Sequence, residues 1–133
     1  MAQAARLRAA SSLVERTAAA KKCITLCIYA VRYEWHDAKN ERNQWKHGVT
    51  FEMAITAFED EKCLLYPDRI DEETSELRWH ALGAARLRPG RNLLLLIVHV
   101  YREDTDGEEI IRLISARKAD KSDIRRYQEQ KVD

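Results

Sequence analysis

The stretch Arg112-Leu-Ile-Ser-Ala-Arg-Lys-Ala-Asp-Lys-Ser-Asp-Ile-Arg-Arg-Tyr127 gathers the side chains of this sequence best suited to chemistry on an anion. It reads as a strand that brings Arg112, Arg117 and Lys118 to a sheet edge. A short helix carrying Arg125, Arg126 and Tyr127 follows at once. Guanidinium groups, an ammonium and a phenol on rigid elements are what a protein needs to grip a phosphodiester. The same groups can stabilise it while it breaks, without a metal. A merely solvated basic corner would use the same residue types.

Strand alternation sets Ser115 and Arg117 on one face and Arg112 on the other, so the two arginines are not expected on one phosphate. Arg117, at the strand end beside the next helix cap, is the first choice for phosphate stabilisation. Its structural counterpart is an ion pair with an aspartate such as Asp120. Arg78 lies on a strand expected next to the central one, either as a second phosphate ligand or as an exposed strand arginine. Tyr127 shares a helix face with Ile124, which suits a core tyrosine as well as an acid or a base-stacking platform. His99 is the one polar residue in an otherwise apolar strand. Its imidazole suits general acid or base work, and equally a buried ring bonded to a carbonyl.

The elements that must position these groups follow from the pattern. Val31, Tyr33 and Trp35 alternate as a short strand. Asp37 caps a helix to His47, which Gly48 stops. Thr50 caps a second helix in which Phe51, Ala54, Ile55 and Phe58 keep core spacing, ending near Glu59-Asp-Glu61. Cys63–Tyr66 is a strand ended by Pro67, and Glu76–Leu82 a second, with Arg78, His80 and Leu82 on one face. Leu93–Val100 is the central strand, buried on both faces. Asp104-Thr-Asp-Gly107 turns the chain into Ile110–Arg117. Asp120 or Ser122 caps the last helix. The order β-α-α-β-β-β-β-α predicts an α+β domain: a small antiparallel sheet with two helices near its start and one at its end.

Bulk properties bound the reading. A chain of 133 residues, 45% hydrophobic and 34% charged, is one soluble domain. The net charge of +1 hides segregation: residues 32–76 carry six basic and twelve acidic side chains, residues 77–133 twelve basic and nine acidic. Such a distribution suits a nucleic-acid face or a charged protein partner. Three cysteines, Cys23, Cys27 and Cys63, form no paired framework and argue for a reducing compartment. No tight Cys or His pair suggests a metal, and no cofactor is expected. Residues 2–22 carry a weak basic amphipathic pattern through Leu7, Ala10, Val14 and Ala18, predicting a helix. The apolar run Cys23–Val31 resembles the core of a signal peptide, but it is late and too short to span a membrane. Residues 1–30 are expected to be a dispensable extension, with translation able to start near Val31, and residues 31–133 to be the functional domain.

Two blocks, EWHDAKNERNQWKHGVTFEMAITAFED (Glu34–Asp60) and RLISARKADKSDIRRYQEQ (Arg112–Gln130), in this order, resemble the BrnT family of bacterial type II toxins. The similarity is sharpest at Lys46-His-Gly-Val-Thr-Phe51 and Ile114-Ser-Ala-Arg117. It spans about Tyr33 to Gln130, with His36 inserted before Asp37 and Thr50 where serine is usual. The resemblance implies a RelE-like fold that cleaves RNA in the cytoplasm. It also implies a small ribbon-helix-helix antitoxin of the BrnA type, and contact with operator DNA only through the toxin–antitoxin complex. Lys46 and His47 match the family and are carried as site or fold determinants. Metal-free RNA cleavage needs a base for the 2′-hydroxyl, cations for the pentacoordinate phosphate, and an acid for the leaving 5′-oxygen. Arg117, Arg78, His99 and Tyr127 are the catalytic candidates; Lys118, Arg112, Arg125, Lys46 and His47 are the phosphate-binding ones. The alternatives are a non-catalytic nucleic-acid- or protein-binding module on the same fold, and an inactive relic that only binds its antitoxin.

Overall fold

The computed structural model describes residues 13–16, 23–28 and 31–130. The strands are β1 (Leu13–Arg16), β2 (Cys23–Ile28), β3 (Val31–His36), β4 (Leu64–Ile70), β5 (Leu77–Arg88), β6 (Arg91–Glu103) and β7 (Glu109–Lys118). The helices are α1 (Asp37–His47), α2 (Phe51–Ile55) and α3 (Lys121–Glu129), with a 3-10 turn over Thr56–Glu59. From β3 onward this is the expected β-α-α-β-β-β-β-α order. The seven strands form one sheet in the order β1-β2-β3-β7-β6-β5-β4. It is antiparallel throughout except for the parallel pair of β3 and β7.

One face of the sheet carries the core. Tyr33, Trp35, Ala81, Ala85, Leu95, Ile97, Ile111, Leu113 and Ala116 meet Val49, Phe51, Ala54, Ile55 and Ala57 there. Burial of large side chains such as Trp35, Phe51 and Leu95 is the main source of stability, roughly 1.5–3 kcal/mol each for the aliphatic ones.

Local signals act as read, with small shifts. Asp37 is the first residue of α1 rather than its cap, because His36 occupies the cap without a side-chain bond. Gly48 stops α1 in the left-handed region at φ 72°, its N–H donating to the Gln44 carbonyl. Thr50 Oγ1 accepts from the Met53 amide at 3.1 Å and starts α2. The second helix is shorter than expected, tightening after Ile55 into the 3-10 turn. That turn docks on the edge of β5 beyond the start of β4: the Ala84 amide donates to Asp60 Oδ2 and the Arg86 amide to Thr56 Oγ1, each at 2.8 Å. Gly83 makes this approach possible, since a Cβ there would lie 2.5 Å from the Ala57 carbonyl oxygen.

Two expectations are corrected here. Strand β4 continues through Pro67 to Ile70 with a register shift, which a sheet edge tolerates because no second neighbour needs the missing N–H. The predicted helix over 2–22 is a strand where it is described, at Leu13–Arg16; the rest of it lies outside the described residues. Cys23–Ile28 pairs in register with the β3 edge, and Ile24 packs on the core. A weak amphipathic signal yields here to strand pairing, which satisfies a whole row of backbone groups. No helix among the described residues is long and apolar enough to cross a membrane.

Candidate functional site

The third correction sets the geometry of the site. On β6 and β7, Val98 pairs with Ser115 but His99 pairs with Leu113, so Ile114 is an extra residue. A bulge of this kind inverts the alternation on either side of it. Arg112 opposite Val100, Ser115 opposite Val98 and Arg117 opposite Leu96 therefore share the face away from α2. His80, paired with Val98 and Tyr66, stands on the same face, and Arg78 two residues earlier joins it. The expectation that Arg112 and Arg117 face apart fails because uninterrupted alternation does not hold across Ile114.

Helix α3 covers one end of this open face. Asp120 and Asp123 form a reciprocal capping box at its start. Asp123, itself buried, also takes Arg117 Nη1 at 3.0 Å, and Asp120 lies 3.8 Å from the same nitrogen. Further along, the Arg126 guanidinium sits 4.5 Å above the Tyr66 ring, which meets His80 edge-on. Arg125 is exposed beside the shallow groove between α3 and Leu64–Tyr66, and Lys118 is exposed where β7 ends.

Carboxylates also hold Arg102, Arg112, Arg78 and Arg32. Buried Glu34 Oε2 accepts from Arg102 Nη1 at 2.6 Å and Arg112 Nη1 at 2.9 Å. Arg78 Nη2 donates to Asp71 at 2.6 Å, and Arg32 pairs with Asp104. The bond to one nitrogen fixes each guanidinium while leaving N–H donors of its five unspent. The Arg78 Nε is buried with no partner among the described residues.

Lys39 escaped the sequence reading. Asn43 lays α1 along β7: its Nδ2 donates to the carbonyls of Ala116 and Val49, and its Oδ1 accepts from the Ala116 amide. Lys39 lies one turn earlier on that helix. Partial desolvation first, then the nearby guanidiniums of Arg112, Arg78 and Arg42, hold its ammonium below the ordinary lysine value, with Asp71 opposing. The available signal was Lys39, Arg42 and Lys46 at i, i+3 and i+7, a basic stripe along one side of α1. Lys46 is exposed on that stripe, and His47 is half-buried at the helix end, where the dipole favours a cation.

Two catalytic candidates are placed elsewhere. Tyr127 donates its hydroxyl to Asp60 Oδ2, and burial and then that carboxylate push its pKa up to about 12. It ties α3 to the corner where the 3-10 turn meets β5, so its proton is already engaged. His99 belongs to the core face with Leu95 and Ile97, fully buried, edge-on to Phe58 and Tyr101. The ring lies on the opposite face of the sheet from Arg112 and Arg117. Neither ring nitrogen has a partner among the described residues, and burial brings its pKa down to about 4.

The His99 burial makes a stability prediction. A histidine with a depressed folded pKa binds fewer protons folded than unfolded, so stability is fully present above pH 6.5 and is lost as pH falls toward 4. The loss attributable to it approaches roughly 3 kcal/mol. Urea unfolding of the parent and His99→Leu between these pH values checks this. The parent should lose more stability than the variant, and parallel profiles would refute it.

The arrangement can bind and polarise a phosphodiester along a row of guanidiniums. The model of the family described as "Ribonuclease toxin, BrnT, of type II toxin-antitoxin system" matches residues 35–123. No curated protein matches the chain.

Proposed function

The chain belongs to the BrnT family of ribonuclease toxins of type II toxin-antitoxin systems, and from that premise we propose that its open face is a metal-independent endoribonuclease site. The observation that carries the reading is the bulge at Ile114, which gathers Arg112, Ser115 and Arg117 on one face with Arg78 and His80. Arg112 and Arg78 bind the non-bridging oxygens of the scissile phosphate and offset the charge of the pentacoordinate state. Arg117 holds a neighbouring phosphate at the α3 end, and Lys46, Lys118 and Arg125 extend the cationic path along the RNA backbone. His47 supports the end of α1 rather than touching RNA. Residues 31–133 carry this activity, and residues 1–30 extend the family domain.

The protein acts in the cytoplasm, where cleavage arrests growth. A small ribbon-helix-helix antitoxin neutralises it, and operator DNA is reached only through that complex. Purified full-length protein is expected to cleave RNA equally with and without EDTA. Co-expression of a neighbouring ribbon-helix-helix protein is expected to relieve growth arrest.

A second reading is favoured by one observation: Arg78, Arg112 and Arg117 are each matched by a carboxylate. Such pairing suits a non-catalytic binding module that presents a nearly neutral surface. RNA that is bound but left intact, with or without EDTA, would establish that reading over cleavage.

A further inference from the structure

Arginines can hold a phosphate, but they do not give up their protons, so the open face needs another group to move one. Its carboxylates are engaged: Glu34 accepts from Arg102 and Arg112, Asp71 from Arg78, and Asp123 from Arg117. Among the described residues of this face, His80 remains. The sheet register puts it level with the middle of the arginine row. Val98 separates His80 from Ser115, and Val100 and Leu96, two residues to either side of Val98, face Arg112 and Arg117. Arg78 lies two residues before His80 on the same strand. Strand β7 is two strand spacings away, roughly 10 Å, a gap that one phosphate and the long guanidinium arms can span.

The imidazole is held in place. Its Nε2 lies 3.5 Å from Asp68 Oδ2 on β4, and the side chain stays 21% exposed, so a ligand on this face can reach it. Tyr66, its partner across the β4–β5 pair, meets the ring edge-on at 5.1 Å between centres, and Arg126 of α3 covers Tyr66 in turn. Asp68 and Tyr66 from β4, Arg126 from α3, Arg78 with its Asp71 from β5 and the loop before it, and Arg112 and Arg117 across β6 are the charged and titratable groups around it on this face. A carboxylate beside one ring nitrogen favours the tautomer in which the other is the acceptor. With Nε2 turned to Asp68, that acceptor is Nδ1.

We infer that His80 is a catalytic residue of this site, the general base that takes the proton of the attacking 2′-hydroxyl, with Asp68 as its positioning residue. The inference rests on the ribonuclease reading above. Nδ1 accepts the 2′-hydroxyl proton, the O2′–P bond forms, and the P–O5′ bond breaks. The departing 5′-oxygen takes a proton from water, and the hydroxide so formed removes the proton from the imidazolium. The products are a 2′,3′-cyclic phosphate and a 5′-hydroxyl end.

Full-length His80→Asn and Asp68→Asn are compared with the parent for RNA binding, and for single-turnover cleavage from about pH 5 to 9. His80→Asn stays polar and cannot supply the base. It should bind RNA as the parent does, cleave about a hundredfold or more slowly, and lose the parent's rise of rate with pH. Asp68→Asn, on the exposed edge strand, removes a negative charge, which by itself would leave RNA binding and cleavage equal or stronger. As the positioning residue it should instead cut cleavage about tenfold with binding undiminished. A His80→Asn protein with the parent's rate and pH profile, or one whose slower cleavage follows only from lost RNA binding, overturns the inference. So does an Asp68→Asn protein as fast as the parent or faster, and this variant decides the matter if His80→Asn does not fold. Each of these results leaves a working ribonuclease, whereas a parent that cleaves no RNA fails the ribonuclease reading itself.

Discussion

Replacing Arg112 with alanine is expected to lower RNA cleavage about a hundredfold or more in a protein that remains folded. Arg112 lies where the site's groups converge, bonded through Nη1 to Glu34, facing the row that contains Arg78, and within electrostatic reach of Lys39. In the proposed mechanism its free N–H groups supply charge where a pentacoordinate phosphate gains it. Donors fixed before the reaction are worth most there, because no reorganisation accompanies the chemical step. The fold tolerates the change since Glu34 keeps its bond to Arg102 and is not left as an unpaired buried carboxylate. Arg112→Lys should recover little activity: an ammonium lacks the planar fork that serves Glu34 and the phosphate together. Cleavage assays beside circular dichroism and RNA binding check this. Unchanged cleavage by a folded Arg112→Ala protein would remove the bulge-centred site from the mechanism.

Arg112 also marks the limit of what the sequence discloses. The order of elements was readable because local chemistry sets it: Gly48, Thr50, Asp120 and the Asp104–Gly107 turn each act at their own position. Which face a strand residue takes is a sum over every residue before it, so one bulge at Ile114 inverts the prediction for Arg112 without leaving a local signature. The pairings Asp123–Arg117, Asp71–Arg78 and Glu34–Arg112 lie 6, 7 and 78 residues apart, and no spacing rule selects among the acids available. His99 looked catalytic because a lone polar residue in an apolar strand stands out. The structure gives it aromatic neighbours and no partner, a core position that polarity alone does not distinguish from an active one. Lys39 was concealed in the opposite way, as one charge among many on a polar helix.

Asn43→Ala should destabilise the protein by about 3 kcal/mol, because it strips the partner from several buried backbone groups at once. The side chain is 6% exposed and makes three bonds, donating to Val49 O at 3.0 Å and Ala116 O at 2.7 Å and accepting from Ala116 N at 3.1 Å. Strand β3 pairs with β7 only as far as Arg112, so Asn43 stands in for the missing strand at Ala116. Alanine leaves those groups dry and unpaired, whereas leucine adds bulk to the same deficit. Asn43→Asp retains one acceptor but sets a carboxylate against two carbonyls, and should fare no better. For a domain whose total stability is of order 5–15 kcal/mol, a loss of this size is readily measured by urea unfolding. The consequence for catalysis is separate. The same three bonds fix α1 along β7, on the edge of the strand that carries Arg112. At temperatures where Asn43→Ala is still folded, cleavage should fall further than its folded fraction does. Cleavage that tracks the folded fraction alone would show that α1 keeps its seat without Asn43.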